Sequence, residues 1–132
     1  MKKIFTLLIS VFLLSTFTIQ AQINNPWVVP EEYQEMVNPV DDDKTSIKRG
    51  ENIYKKHCLS CHGIAGQGDG AAAAELKVDP SNLSLDDLDV QKDGEIYFKI
   101  ERGRDEMHKF KNTITEDDIW NLVNYIRTFY QE

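Results

Sequence analysis

The feature that most constrains this chain is Cys58-Leu59-Ser60-Cys61-His62, which contains both of its cysteines. The C-x-x-C-H spacing is the signature of covalent c-type haem attachment. Each cysteine sulfur adds to one porphyrin vinyl group to form a thioether, and the adjoining histidine is then placed to ligate the iron. A structural disulfide, half of a zinc site and a thioredoxin-like redox pair also use C-x-x-C. Zinc asks for four protein ligands, and the chain has no second cysteine pair. A thioredoxin-like pair belongs beside a βαβ pattern, which this sequence lacks. Cys58 and Cys61 are therefore assigned as haem thioethers and His62 as an axial ligand of the iron.

The amino terminus says where that chemistry takes place. Lys2 and Lys3 precede an apolar run from Ile4 to Ile19, interrupted only by Ser and Thr, and polar sequence starts at Gln22. This is the pattern of a secretory signal peptide over residues 1–21, with cleavage expected after Ala21. Uncleaved, the run comes close to the roughly 20 apolar residues that span a bilayer. The remaining chain suits one domain. With 15 basic and 22 acidic residues the net charge is −7, which disfavours nucleic acid as a partner.

From about Ser46 to Tyr130 the chain resembles a monohaem class I cytochrome c of bacterial periplasmic type. The likeness rests on Tyr54-Lys55-Lys56-His57-Cys58-Leu59-Ser60-Cys61-His62-Gly63, on Gly66-Gln67-Gly68-Asp69-Gly70, on Ile100 to Met107, and on a closing amphipathic helix rich in aromatics. It implies an all-α class I cytochrome c fold, about four helices wrapped around one covalently attached haem, with an extended N-terminal arm. The division expected is 1–21 signal peptide, 22–45 arm and 46–132 cytochrome c domain. Export agrees with the resemblance, because such proteins have their thiols handled outside the cytoplasm, and the expected location is the periplasm.

Along the arm, Pro26, Pro30 and Pro39 block a long regular element, while Trp27, Val28, Val29 and Tyr33 are apolar enough to pack. An extended strand of chain lying on the domain is expected, or else a partner contact. Ser46 is a candidate N-cap for a first helix running through Ile47, Gly50, Ile53, Tyr54 and His57 into the haem motif. Gly50 would cost about 1 kcal/mol relative to Ala inside a helix, so it marks a close crossing. The resemblance puts the last helix there, with Tyr125 as the residue that meets Gly50. The glycines at 63, 66, 68 and 70 form a loop that wraps the haem, and Ala71 to Leu76 forms a short helix. A further helix begins near Asp93 and stops at Gly103. Thr115 and Asp118 form a capping pair for the last helix, whose apolar stripe is Ile119, Leu122, Val123, Ile126, Phe129 and Tyr130.

The resemblance also supplies the surroundings of the iron. Asp79-Pro80-Ser81-Asn82-Leu83 matches the segment whose proline carbonyl accepts a hydrogen bond from the ligand histidine, which assigns that role to Pro80. The sixth ligand is sought among Met36, His57, Met107 and His108. Met107 follows Gly-Arg as the distal methionine does in the family, although His108 stands where proline is usual and leaves a His/His site open. Arg104 is expected beside a haem propionate. Together these imply a non-enzymatic, one-electron carrier with one haem c, exchanging electrons with periplasmic redox proteins or membrane respiratory complexes, and touching the membrane only if the signal segment is retained. The alternatives are a haem enzyme or gas-binding sensor with a labile sixth ligand, or a cytochrome subunit of a respiratory complex. Basic residues in 44–57 and 98–111 are expected to make the docking face less acidic than the net charge suggests.

Overall fold

Two helices cross at a glycine, and the rest of the fold is laid around that crossing. The structure is a computed structural model and describes residues 27–130. The expected signal segment 1–21 and the first part of the arm lie outside the described residues. In order, the helices are α1 (Glu31–Gln34), α2 (Lys44–His57), α3 (Leu59–His62), α4 (Asp86–Asp89), α5 (Asp93–Arg102) and α6 (Glu116–Arg127). A single 3₁₀ turn covers Ala73–Glu75, where a short helix was expected. Among the described residues there is no named strand, only isolated bridges at Arg104–Met107 and Lys111–Ile114. No described helix is long and apolar enough to cross a membrane.

α2 and α6 share the largest interface. A Cβ built on Gly50 would lie 2.1 Å from the carbonyl oxygen of Asn121 and 2.7 Å from Tyr125 Cβ, so only glycine permits this approach. The expected meeting with Tyr125 is present, and Asn121 shares it. Tyr54, Ile119, Leu122 and Val123 are the largest fully buried side chains, all on the facing surfaces of these two helices. α5 closes the third side with Ile96, Tyr97 and Ile100, and Tyr97 lies against Trp120 at 4.3 Å between ring centroids. Arg127 joins α6 to α5 through Asp93 Oδ1 at 2.7 Å and to α4 through the carbonyl of Leu88 at 2.8 Å.

Helix ends follow the sequence with one correction. Thr115 Oγ1 accepts from the Asp118 amide at 3.1 Å, as expected of a cap, and α5 stops before Gly103. The N-cap of α2, however, is Asp43 and not Ser46: Asp43 Oδ1 accepts from the amides of Thr45 and Ser46. Ser46 lies inside the helix, buried, where its hydroxyl accepts from Asn124 Nδ2 at 2.8 Å. Asn124 also donates to the carbonyls of Val40 and Asp41, so this buried amide ties α6 to the chain entering α2.

The arm lies on the domain but is not wholly extended. Pro30 starts the helical turn α1, because its fixed φ suits that position and its carbonyl accepts from the amides of Tyr33 and Gln34. Tyr33 packs on Tyr97 and Phe98, and its hydroxyl donates to the buried carboxylate of Glu101 at 2.8 Å.

Candidate functional site

Cys58 interrupts the helical path between α2 and α3 with φ −116°. Its amide still bonds to the Tyr54 carbonyl at 2.8 Å, and its carbonyl accepts from Cys61 and His62. The break turns the motif into its own helical turn, placing Cys58, Cys61 and His62 within one α-turn of each other. The loop after His62 then folds back: the amides of Gly68, Gly70 and Ala72 bond to the carbonyls of His62, Cys61 and Ser60. Tyr54 pins the start of this loop, donating its buried hydroxyl to the Gly63 carbonyl at 2.7 Å.

The same loop positions the histidine. Gly66 accepts from the Leu83 amide at 2.6 Å, which docks segment 80–83 against the motif. His62 Nδ1 then lies 3.1 Å from the carbonyl oxygen of Ser81. This corrects the sequence expectation, which gave that acceptor role to Pro80: the turn of the segment presents the carbonyl one residue later, while the Pro80 carbonyl faces Gly68. A carbonyl only accepts, so Nδ1 carries the proton and Nε2 keeps a lone pair. Burial lowers the pKa of His62, opposed in part by the Ser81 hydrogen bond, and the ring is held neutral in the tautomer that a metal ligand needs. Both cysteines are free thiols. Burial, with Cys61 adding to it, pushes the Cys58 thiol up to about 12. Two unpaired thiols and a neutral imidazole with one nitrogen already occupied are the donor set that haem c requires, and these residues fit the group.

The distal candidates separate by burial. Met107 is partly buried against the same apolar cluster as Cys58 and Leu59, whereas His108 is exposed. Met36 packs near Gly94 of α5, and His57 meets Phe110 edge-on at 5.6 Å. The Met107 loop is a tight turn in which the Met107 amide bonds to the Arg104 carbonyl at 2.9 Å and Asp105 takes φ +53°. Its exit is closed onto the end of α5 by Phe110 N–H to Ile100 O and Lys111 N–H to Glu101 O. Glu106 ties its outer side to the amides of Lys77 and Val78. An open depression of about 620 Å³ is lined by Leu76 and residues 102–109.

Arg104, expected at a propionate, lies with its guanidinium 4.4 Å from the centre of the Trp27 ring and 3.4 Å from Asp105 Oδ2. The expected basic face is also less open than residue counts suggest. Lys48 and Lys55 both pair with Glu51, Arg49 pairs with Asp118, and Arg102 and Lys111 pair with Glu101. Lys48 and Lys55, in that order, hold the Glu51 carboxyl down at about 2. Sequence reasoning missed Ser81, Glu106 and Phe110. Phe110 carried a signal, as an apolar residue in an otherwise charged loop.

Comparisons with known proteins bear on the family and the fold. No relative matches among curated proteins. A chain of the Kuenenia stuttgartiensis reducing HAO-like protein complex Kustc0457/Kustc0458 is similar at 25% identity and a TM-score of 0.63, over 70% of this chain and 47% of that one. The present chain thus spans about half the length of that relative. The KustC0563 c-type cytochrome is similar at 26% identity and a TM-score of 0.54, over 62% of this chain and 98% of that one. The family described as cytochrome C oxidase, cbb3-type, subunit III matches residues 45–126. Since that match runs from the first turn of α2 to the last turn of α6, the chain belongs to this cytochrome c family, whose mark is covalently bound haem c used for electron transfer.

Proposed function

We propose that the chain is a periplasmic one-electron carrier with one haem c held by Cys58 and Cys61 and its iron ligated by His62 and Met107. The observation that carries this reading is the 3.1 Å contact between His62 Nδ1 and the Ser81 carbonyl, which leaves Nε2 of a neutral ring as the donor. Met107 is favoured over His108 because it is partly buried against the cluster that holds Cys58, whereas His108 is exposed to solvent. Bound haem c supplies the one-electron couple. The chain fixes the couple's environment: Ser81 orients the imidazole, the thioether of Met107 favours the reduced state, and the apolar cluster excludes water. Export of the protein by the segment over residues 1–21 is part of the proposal.

The family description and the similar chain from a multi-protein complex favour, as a second reading, attachment to a larger respiratory assembly. The oxidised protein should show the weak sulfur-to-iron charge-transfer band, lost in Met107→Ala and kept in His108→Ala. Loss of the native ligand field in His108→Ala alone would instead assign a bis-histidine site. Rapid carbon monoxide binding by the reduced wild type would favour a gas-binding module.

A further inference from the structure

The segment that precedes the haem-binding helices is built into the loop that carries Met107. Trp27 stands edge-on to Phe98 of α5, with ring centroids 6.3 Å apart, and Arg104 lies over its face. Tyr33, also on the arm, meets Phe98 at 4.8 Å and bonds to Glu101. Arg102 closes the arrangement, donating to Glu101 Oε2 at 2.9 Å and to the Tyr33 hydroxyl at 3.0 Å. The arm is thereby anchored on the last turns of α5, and α5 leads directly into the ligand loop.

The anchor reaches the ligand through the way Arg104 and Met107 are joined. They are the two ends of one four-residue turn, closed by the 2.9 Å bond from the Met107 amide to the Arg104 carbonyl. Holding the Arg104 side chain therefore holds the frame on which Met107 is mounted. The opposite side of the loop is already held by Glu106 on the amides of Lys77 and Val78. Beside these and the main-chain bonds of Phe110 and Lys111 at the loop's exit, Trp27 supplies a further point of attachment on the arm.

We propose that the arm is a strap for the distal loop, and that Trp27 is a positioning residue that keeps Met107 in place by seating Arg104. The target of this strap rests on the reading of Met107 as the iron ligand. A cation over an indole face contributes about 1 kcal/mol where partly exposed, so its loss raises the population of the displaced loop about fivefold. A competing ligand then binds the iron about fivefold more tightly.

The test uses the matured holoprotein and its Trp27→Leu and Trp27→Phe variants. Imidazole titration of the oxidised form reads displacement of Met107, and hydrogen exchange at the Met107 amide reads the turn itself whatever ligates the iron. Trp27→Leu should bind imidazole about fivefold more tightly and exchange the Met107 amide faster, with Trp27→Phe between it and wild type because it keeps the contact with Phe98 and a weaker π face. The amide of Cys58, bonded on the proximal side, should be unchanged in both. Unchanged imidazole affinity together with unchanged Met107 exchange overturns the strap. If the wild type shows no sulfur-to-iron band yet Trp27→Leu speeds Met107 exchange, the strap stands and the ligand assignment falls.

Discussion

The two sides of the haem motif are held in different ways. On the proximal side, Cys58, Cys61 and His62 are fixed almost entirely by main chain: the loop amides of Gly68, Gly70 and Ala72 return to the motif's own carbonyls, and Leu83 bonds to Gly66. Beneath them lies the α2–α6 crossing, with Tyr54 and Val123 at most 1% exposed. On the distal side, main-chain bonds close only the turn itself and its exit onto α5, and what holds the Met107 turn to the rest of the domain is side chains: Arg104 on Trp27, Glu106 on two amides, and Phe110 in the core. A main-chain network moves only when the whole fold moves, whereas side-chain anchors release one at a time. The histidine-bearing half should therefore fail globally, and the Met107 loop should fail locally.

The sharpest way to break that contrast is to substitute one glycine in each half. In Gly50→Ala the helix gains about 1 kcal/mol in propensity. The new Cβ, however, would stand 2.1 Å from a backbone oxygen that cannot rotate away. The clash wins: the expected net loss is about 3 kcal/mol, a fall of about 10 °C or more in melting temperature. In Gly103→Ala the strain is local. Gly103 has φ +58° and ψ 169°, a region essentially reserved for glycine, and a Cβ there would lie 2.4 Å from the Met107 carbonyl oxygen. Its melting temperature should fall by less than half as much, while the sulfur-to-iron band weakens. Calorimetry and the near-infrared spectrum of the two variants decide the matter, and equal losses of stability would erase the distinction.

Smaller effects sharpen it. Tyr54→Phe removes the buried bond to Gly63 and should cost about 1–2 kcal/mol in denaturant unfolding, with the Met107 band unchanged. The weakest effect near neutral pH is that of buried phenols. Burial first, and the nearby Glu116 and Glu101 carboxylates next, push Tyr97 up to about 12, and burial likewise raises Tyr54. The folded state thus holds these protons more tightly than the unfolded chain, whose tyrosines titrate near about 10. The Tyr97 contribution is complete below about pH 10 and is lost as pH rises toward about 12. Urea unfolding across that range should show the decline, and Tyr97→Phe should flatten it.

What the sequence made legible follows the same division. Periodicity located α2 and α6 because each has one apolar stripe, the glycine stop at Gly103 located α5, and Gly50 announced the crossing because only a close approach explains a mid-helix glycine there. The haem motif was legible because its chemistry resides in residue types. The acceptor for His62 was not, since every residue carries a carbonyl and only the turn of segment 80–83 selects Ser81 over Pro80. Ser46 looked like a cap, but Asn124, distant in sequence, engages its hydroxyl, and Asp43 takes the end of the helix. The placement of Arg104 depends on Trp27, 77 residues earlier, and no local pattern reports a pairing at that separation. The basic segments looked open because sequence does not show that one carboxylate, Glu51, answers two lysines.

The central claim is that the two thiols beside His62 carry haem covalently. Mass spectrometry of the protein purified after export and maturation tests it most directly, alongside Cys58→Ala and Cys61→Ala. The account predicts a wild-type mass equal to the processed polypeptide plus one haem, retained after denaturation, with each single substitution weakening that retention and the double substitution abolishing it. A mature, exported wild type with the mass of the bare polypeptide would contradict it.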